Sequence, residues 1–287
     1  MKIEKACLYV VGTPIGNLGD LSPRAAETLE QVDFIAAEDT RVTLRLLNHL
    51  GIKKPMISYF EHNKAERGQM VLGRIRAGES CALVSDAGMP AISDPGEMLV
   101  AQCAEAGVPV YAVPGPSAAI AALAVSGLPT GRFTFEGFLS VNKKSRHEHL
   151  LSLRNETRTM IFYEAPHKLR RTLADLYEAF GEREIAIVRE ITKIHEEAMR
   201  MRLSEAAQMY RSSEPRGEFV LVIHGAEPVP AQEEFTLEEA VSLAKSLMAG
   251  GQSASEAAKA AAAAGPFKKG DIYRQLMNFS LGEEPYL

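Results

Sequence analysis

The sequence predicts an α/β protein of two domains followed by a small C-terminal helical domain. Short apolar runs alternate with helical patterns through the first 113 residues, which is typical of βαβ units around a parallel sheet. The following part of the chain is richer in strands that alternate polar and apolar residues. Short alanine-rich helical stretches, separated by glycines, come last. We expect domains at residues 1–114, 115–227 and 235–287.

The first domain is predicted to hold five strands, each a nearly continuous apolar run. Such runs are expected where helices cover both faces of a parallel sheet. Ser22 before Pro23 predicts a capped helix start, and Gly51 predicts the end of the next helix. The predicted strands are residues 6–12, 33–38, 55–60, 81–84 and 108–113, and the clearest helices are 64–76 and 96–105.

A Pro-Gly-Pro-Ser turn at 114–117 predicts the boundary between the first two domains. Ser117 is expected to cap the small-residue helix that follows. Beyond it, alternation predicts an antiparallel or mixed sheet with one exposed face. The predicted strands are residues 132–138, 159–163, 184–189, 197–203 and 218–223, with a helix at 166–180.

The C-terminal part follows a proline- and acid-rich linker at residues 226–234. Helices are predicted at 237–248, 254–264 and 271–277, with Ser253 and Ser255 as cap candidates. The last two helices have the proportions of a helix-turn-helix, but alanine-rich helical hairpins are common. A packing role is therefore at least as well supported as contact with nucleic acid.

Composition bounds the function classes. The net charge of −5 argues against a protein covered in positive charge for nucleic acid, although a local patch is compatible with it. No apolar run approaches the length of a membrane span, and the N-terminus does not have the pattern of a signal peptide. The three cysteines lie far apart in apolar contexts, so we expect no metal site, buried thiols and a cytoplasmic setting.

One segment, residues 141–171, is locally basic. It holds eight Lys or Arg residues against three acids, whereas the whole chain is acidic. A solvated helix face explains any single charge, but it does not explain this excess over so short a stretch.

The common catalytic motifs are missing from the sequence: no GxGxxG follows the first strand, and there is no Walker A, GxSxG, HExxH or CxxC. The candidate site is instead a set of loops at strand ends, residues 13–20, 38–41, 86–94 and 114–118, above all the one after the fourth strand. In a parallel sheet these loops share one edge, where ligands bind. Their carboxylates suit ribose hydroxyls or an amine. Asp94, which precedes Pro95, is expected to cap the next helix.

Taken together, these segments resemble the ribosomal RNA small-subunit methyltransferase I branch of the tetrapyrrole methylase superfamily. The resemblance runs from residue 8 to 223 and lies in LYVVGTPIGNLGDLSPRA, AAEDTRVTLRLLNHLGI, LVSDAGMPAISDPG, VPGPSAAIAALAVSGLP, FYEAPHKLRRTL and GEFVLVI. One difference favours this branch: tetrapyrrole methylases proper carry a GPGD-type sequence where this chain has GTPIGN at 12–17.

The resemblance implies a class III methyltransferase fold that binds S-adenosylmethionine in the cleft between two α/β domains. It also implies a homodimer, and methyl transfer to the ribose 2′-hydroxyl of a cytidine in the decoding site of 16S rRNA. The substrate would be this RNA or the 30S subunit. The cofactor residues carried over by position are Pro14, Asp86, Gly88, Met89, Ser117, Ala118, Tyr163 and Glu218.

A 2′-hydroxyl needs a base to accept its proton. Asp39, Glu190 and Lys193 are the candidates for orienting or deprotonating it, and Arg41 could hold a phosphate. A local ion pair at a helix start explains Asp39 and Arg41 equally well. The predicted RNA-docking surfaces are the basic segment 141–171, above all Lys143, Lys144 and Arg146, and the region of Lys268 and Lys269.

Two other functions are compatible with the sequence. One is a methylase that acts on a small tetrapyrrole-type molecule and has no use for the basic helices. The other is a non-catalytic RNA-binding or ribosome-assembly factor on the same fold.

Overall fold

The computed structural model describes residues 3–227 and 235–280, with side chains as far as residue 277. It divides into two compact units, Met1–Ala226 and Glu227–Leu287. Both sheets lie in the first unit, and its division at residue 114 stays a prediction. Residues 228–234 of the predicted linker, and 281–287 of the predicted third domain, lie outside the described residues.

The first half of the larger unit is a five-stranded parallel sheet in the order β3-β2-β4-β1-β5. The prediction of a parallel sheet is confirmed. Its elements are β1 (Leu8–Val11), α1 (Pro23–Gln31), β2 (Phe34–Ala37), α2 (Thr40–His49), β3 (Met56–Ser58), α3 (Lys64–Arg76), β4 (Cys81–Val84), α4 (Gly96–Glu105) and β5 (Val110–Val113).

Helices cover both faces of this sheet, as the continuous apolar strands predict. Along β1, Tyr9 and Val11 pack in a core that includes Ala25 and Leu29 of α1. The alternate residues of β1 face the opposite core, which includes α3 and α4. The predicted burial of the thiols is also confirmed, since Cys7, Cys81 and Cys103 are all buried, and none of the three forms a disulfide bond.

The order of the strands creates the crevice that becomes the site. β1 and β4 are neighbours, but the chain leaves β1 through α1 on one face and leaves β4 through α4 on the other. The helices after these loops therefore diverge to opposite faces, while the loops themselves lie at the carboxyl edge, where open α/β sheets bind ligands.

The second half of the unit is a mixed sheet in the order β6-β7-β10-β8-β9, with β6 and β7 parallel and the other pairs antiparallel. Its elements are α5 (Ala118–Ser126), β6 (Phe133–Phe138), α6 (Lys143–Ser152), β7 (Thr159–Glu164), α7 (Pro166–Phe180), β8 (Glu184–Arg189), β9 (Glu197–Arg202), α8 (Leu203–Met209) and β10 (Phe219–Ile223).

The expectation of one exposed face is wrong for the central strands of this sheet. Residues of α6, α7 and α8 pack on one face, and Ala119, Ala122 and Leu123 of α5 pack on the other. The sequence indicated α6 only as a basic stretch, because its apolar residues form no clear helical stripe.

The second unit contains α9 (Leu237–Ala249), α10 (Ala254–Ala263) and α11 (Lys269–Ser280). Its core is mainly alanine, which lets the helices approach closely, with Ile272 and Leu276 of α11. Ser253 caps α10 and accepts a hydrogen bond from Glu256 N, as predicted. Ser255 is not a cap, since its hydroxyl accepts a hydrogen bond from Lys269 Nζ at 2.8 Å. Within the described residues, no helix is long and apolar enough to cross a membrane.

Gly12 and Gly115 bring the loops after β1 and β5 into backbone contact. A Cβ on Gly12 would lie 2.6 Å from Gly115 Cα. We predict that Gly12→Ala lowers the free energy of unfolding by about 1–3 kcal/mol, because the added methyl group must push two backbones apart. Urea unfolding followed by circular dichroism measures this change.

Gly73→Ala is the matched control for that substitution. Gly73 lies within α3, and a Cβ there would meet no atom within 4 Å. Its replacement should leave stability unchanged or raise it by up to about 1 kcal/mol. Equal midpoints for Gly12→Ala and the unaltered protein would show that the contact between the two loops is not a constraint.

Candidate functional site

A cavity of about 510 Å³ opens between the carboxyl edge of the parallel sheet and the strands β7, β8 and β10 of the mixed sheet. All the predicted cofactor residues line it except Pro14, whose neighbour Ile15 takes that place. The resemblance therefore selected positions that the fold brings together from distant parts of the chain. The lining residues carrying the chemistry are Glu38, Asp86, Asp94, Glu164, Glu218, Ser85, Ser93, Ser117 and Tyr163.

Backbone pairing holds the loops that form one wall of the cavity. Thr13 N donates to Gly88 O at 3.0 Å, and Gly88 N donates to Thr13 O at 3.1 Å. Gly88 adopts a φ of +79°, in the region that favours glycine. This bridge fixes the loop after β4 on the loop after β1. It also uses the amide of Gly88, so that amide is not available to a ligand.

Asp94 stabilises the same loop from inside. Its carboxylate accepts hydrogen bonds from Ala91 N at 3.0 Å and from Gly96 N at 2.8 Å. Ala91 has a φ of +67°, which is uncommon for a residue other than glycine. Asp94 therefore bonds the first amide of α4, as a cap would, although Pro95 occupies the N-cap position, and the same side chain also stabilises the turn at Ala91.

The start of α5 is capped by a side chain from the other sheet. Ser117 occupies the predicted cap position, but its side chain makes no capping hydrogen bond. Instead Tyr163 Oη accepts a hydrogen bond from Ala119 N at 3.1 Å. The Tyr163 ring packs against Phe135 and Phe138, with centroids 4.9 Å and 5.5 Å away. Tyr163 thus links α5 to β6 at the wall of the cavity.

Two carboxylates at the ends of β2 and β4 are joined through backbone amides. Asp86 N donates to Glu38 Oε2 at 3.2 Å, and Asp39 N donates to Asp86 Oδ1 at 3.0 Å. Burial raises the pKa of Glu38, and the neighbouring carboxylates of Asp86, Asp94 and Asp39 raise it further. The pKa of Asp86 is raised as well, mainly by burial.

Asp39 has a different environment. Its carboxylate caps α2 by accepting a hydrogen bond from Arg41 N, and it pairs with the Arg41 guanidinium at 2.6 Å. The hydrogen bonds from Arg41 lower the pKa of Asp39 to about 2. Such a carboxylate is a weak base, so the structure supports the local ion pair and argues against Asp39 as the proton acceptor.

Glu190, Lys193 and Glu218 form a linked group at the rim. Lys193 Nζ donates to Glu190 Oε1 at 2.9 Å and to Glu218 Oε2 at 2.8 Å. Partial burial lowers the pKa of Lys193, but the hydrogen bonds to these carboxylates outweigh it and the pKa is raised. The pKa of Glu190 is lowered, first by Lys193. Only Glu218 of the three lines the cavity.

Lys193 also reaches the opposite loop. A Cβ on Gly16, in the loop after β1, would lie 2.7 Å from Lys193 Cγ. The segment that carries Lys193 holds two residues other than glycine with positive φ, Glu190 at 51° and Thr192 at 64°. The methylene carbons of Lys193 therefore pack against the loop after β1, while its ammonium group bonds to Glu190 and Glu218.

The predicted RNA-docking residues fall in different settings. Lys143 and Lys144 are exposed at the start of α6, whereas the Arg146 side chain is only 6% exposed. Arg146 donates to Asp175 Oδ2 at 2.6 Å and to Ser140 O at 3.0 Å. Its prediction as a phosphate contact is corrected, because its guanidinium is buried and already bonded. Lys268 and Lys269 are exposed residues of the second unit.

Glu38 was not among the predicted catalytic residues, although it is a cavity carboxylate whose pKa is raised. It is the last residue of the predicted strand 33–38, and the prediction fell on Asp39, directly after that strand. Among residues 3–227 and 235–280, no group of three or more His, Cys, Asp or Glu side chains could hold a metal ion.

Comparison with known proteins identifies the family. The sequence profile described as "Tetrapyrrole (Corrin/Porphyrin) Methylases" matches residues 7–207, which is more than half of the chain. The chain belongs to the tetrapyrrole methylase family. The solved structures agree: this tetrapyrrole methylase superposes on uroporphyrin-III C-methyltransferase from Thermus thermophilus with a TM-score of 0.54, 19% identity and coverage of 76% of this chain and 94% of that one. Diphthine synthase gives a TM-score of 0.58 at 14% identity, over 76% and 90%. These likenesses show the fold.

Closer relatives within the family share a different name, "Ribosomal RNA small subunit methyltransferase I". The Synechocystis protein is 51% identical over 255 residues, which are 88% of this chain and 90% of the relative. The Thermotoga maritima protein is 49% identical over 220 residues, which are 77% of this chain and 99% of the relative. The latter is therefore shorter than this tetrapyrrole methylase.

The ion pair between the buried Arg146 and Asp175 is expected to stabilise the fold. Arg146→Ala should lower the free energy of unfolding by about 2–3 kcal/mol, below the ~3–5 kcal/mol of a fully buried pair because Asp175 is partly exposed. Lys144→Ala, on the same helix, should change it by less than about 0.5 kcal/mol. Chemical denaturation of both variants measures the difference. Equal losses of stability in the two variants would show that Arg146 contributes no more to folding than the exposed Lys144 does.

Proposed function

We propose that this protein is an S-adenosylmethionine-dependent methyltransferase of small-subunit ribosomal RNA. The observation that carries the proposal is its 45–51% identity to relatives named Ribosomal RNA small subunit methyltransferase I. The finer proposal, from the resemblance at residues 8–223, is methyl transfer to the 2′-hydroxyl of a cytidine in the decoding site.

The cavity fits this cofactor. Its lining includes five carboxylates and no Lys, Arg or His among the described residues, which suits a ligand with positive sulfonium and ammonium groups. Apolar side chains, including Ile15, Met89 and Phe219, offer a surface for an adenine ring. The volume lies in the range of about 300–1,000 Å³ for small-molecule sites. One fold relative was solved as a complex with S-adenyl homocysteine, with a TM-score of 0.53 and 20% identity.

When bound, S-adenosylmethionine supplies an electrophilic methyl group, and the protein must supply position and a proton acceptor. Glu38 is our candidate for the acceptor. It lines the cavity, and Asp86 N holds its Oε2, while its Oε1 makes no hydrogen bond within the described part of the chain. The pKa of Glu38 is raised toward neutral pH, and this makes its carboxylate a stronger base.

The other predicted residues receive positioning roles in this proposal. Asp86 and Glu218 hold the positive groups of the cofactor, with Glu218 oriented by Lys193. Arg41, whose side chain is 84% exposed, is available to a phosphate near α2. Lys143, Lys144, Lys268 and Lys269 are proposed as further phosphate contacts. A cytoplasmic homodimer stays a prediction from the resemblance.

Two alternative functions predict different experimental results from the proposed one. A small-molecule methylase would methylate a tetrapyrrole and leave ribosomal RNA unchanged. A ribosome-assembly factor would bind RNA but not the cofactor.

Mass mapping of 16S rRNA tests the proposal most directly. RNA from a deletion strain should lack one ribose methyl group in the decoding site, and expression of the full chain should restore it. Isothermal titration should also show binding of S-adenosylhomocysteine. A deletion strain that lacks no methyl group would refute the proposed function, and failure to bind S-adenosylhomocysteine would favour an assembly factor.

Replacement of Glu38 tests the proton acceptor. Glu38→Gln should lower kcat for methylation by about 10²–10⁴-fold, because the amide cannot accept the proton but can still accept the Asp86 N–H. In the unaltered enzyme, kcat should rise with pH through the raised pKa of Glu38, since the ionised form is the active one. That rise should be absent from the variant.

Asp39→Asn is the matched control, because asparagine also caps helices. It should weaken the Arg41 ion pair and lower kcat far less than Glu38→Gln does. A larger loss for Asp39→Asn, or a pH profile unchanged by Glu38→Gln, would contradict the assignment of Glu38.

A further inference from the structure

A second and larger concavity lies beside the cofactor cavity. This groove between α7 and α8 has a volume of about 1,110 Å³, and Arg211, Glu214 and Pro215 after α8 also line it. Pro166, the first residue of α7, lines both the groove and the cavity. The groove therefore adjoins the proposed methylation site, and its residues 167–171 belong to the basic segment 141–171.

The end of the groove near the cavity is positively charged. His167, Arg170 and Arg171 lie on one face of the first turns of α7, and Arg211 follows the end of α8. Arg170 Nη2 donates to Ser213 O at 2.9 Å, which fixes the guanidinium at this end and ties the two walls together.

The acids of the groove do not cancel this charge. Glu214 lies at the same end, and Glu178 lies two turns farther along α7. Asp175 lies 3.8 Å from Arg171, but it also pairs with the buried Arg146. With three arginines against the two lining acids, the groove lining is net positive on a chain whose total charge is −5. The charged residues in the described lining of the cavity next to it are all carboxylates. A polyanion is therefore attracted to the groove and repelled by the cavity.

The remaining lining suits nucleobases. Tyr177 is exposed on the same face of α7, and Ala174 and Ala207 make the floor small and apolar. Gln208 offers hydrogen-bond donors and acceptors. Exposed aromatic rings beside cations are the usual means of holding single-stranded nucleic acid, because bases stack while phosphates pair with the cations.

We propose that the groove between α7 and α8 binds the single-stranded RNA segment that flanks the target nucleotide. This inference rests on the proposed function and adds the docking surface of its substrate. Arg170 and Arg211 contact phosphates, and Tyr177 stacks on a base. The strand then passes Pro166, where its target ribose enters the cavity.

Charge reversal at Arg211 tests the groove in the full-length protein. Arg211→Glu should weaken binding of a fluorescein-labelled single-stranded RNA of the decoding-site sequence by about tenfold or more, and should reduce the slope of log K against log salt by about 1. Tyr177→Ala should weaken it by about fivefold or more. Binding of S-adenosylhomocysteine and the thermal unfolding midpoint should stay unchanged in both.

Arg76→Glu is the control, because it reverses an exposed arginine on α3 and changes net charge equally. RNA affinity should fall much less than with Arg211→Glu. Equal affinities for the two charge variants would overturn the groove as the docking surface. Absence of rRNA methylation by the unaltered protein would instead overturn the proposed function, so the two failures are distinguishable.

Discussion

The backbone contact between the loops after β1 and β5 is the constraint on which the site depends. Gly12 and Gly115 pack with no side chain between them, and the pairing of Thr13 with Gly88 adds the loop after β4. Three loops from three parallel strands therefore form one connected wall of the cavity. Because the wall is made by backbone, its side chains are free to point into the cavity. Tyr163 completes the arrangement from the other sheet by capping α5.

Carboxylates in this region fall into two classes, and the difference is the presence of a local cation. Asp39 pairs with Arg41 and Glu190 pairs with Lys193, and each pairing lowers the pKa of the acid. Glu38 has no such partner within the described residues, and burial beside other acids raises its pKa. Its burial opposes folding at neutral pH, since the ionised form is favoured in the unfolded chain. A cation that binds in the cavity removes part of this penalty, so the site gains stability when its ligand arrives.

The sequence predicted the parallel sheet well because local signals determine it. Continuous apolar strands, the Ser22 cap and the bounds of α3, α4 and α7 all depend on neighbouring residues. The errors arose where distant residues decide the outcome. Arg146 looked like a surface charge because its partner Asp175 lies on another helix, and Ser117 looked like a cap because Tyr163 is 46 residues away in sequence.

The same limit explains the choice of Asp39 over Glu38. Adjacent residues of one sequence motif are indistinguishable as bases until their surroundings are known. An extended strand sends successive side chains to opposite sides, so a change of one position separates an ion-paired helix cap from a cavity carboxylate. The residues that the family resemblance selected, among them Asp86, Met89 and Glu218, line one cavity, but the resemblance could not rank the acids inside it.

The separation of charge between the cavity and the groove explains how one protein can hold two ligands of opposite sign. Carboxylates line the cavity and favour a cationic cofactor, whereas arginines of the groove favour phosphates. A phosphate that entered the cavity would meet Glu38, Asp86 and Glu218 with no cation among the described lining residues. In the proposed function, the backbone of an RNA strand would therefore be kept outside, and an uncharged part of the nucleotide could approach the cofactor without electrostatic cost. The proposed ribose hydroxyl meets that requirement, and its proposed proton acceptor, Glu38, pairs with no cation in the described part of the chain.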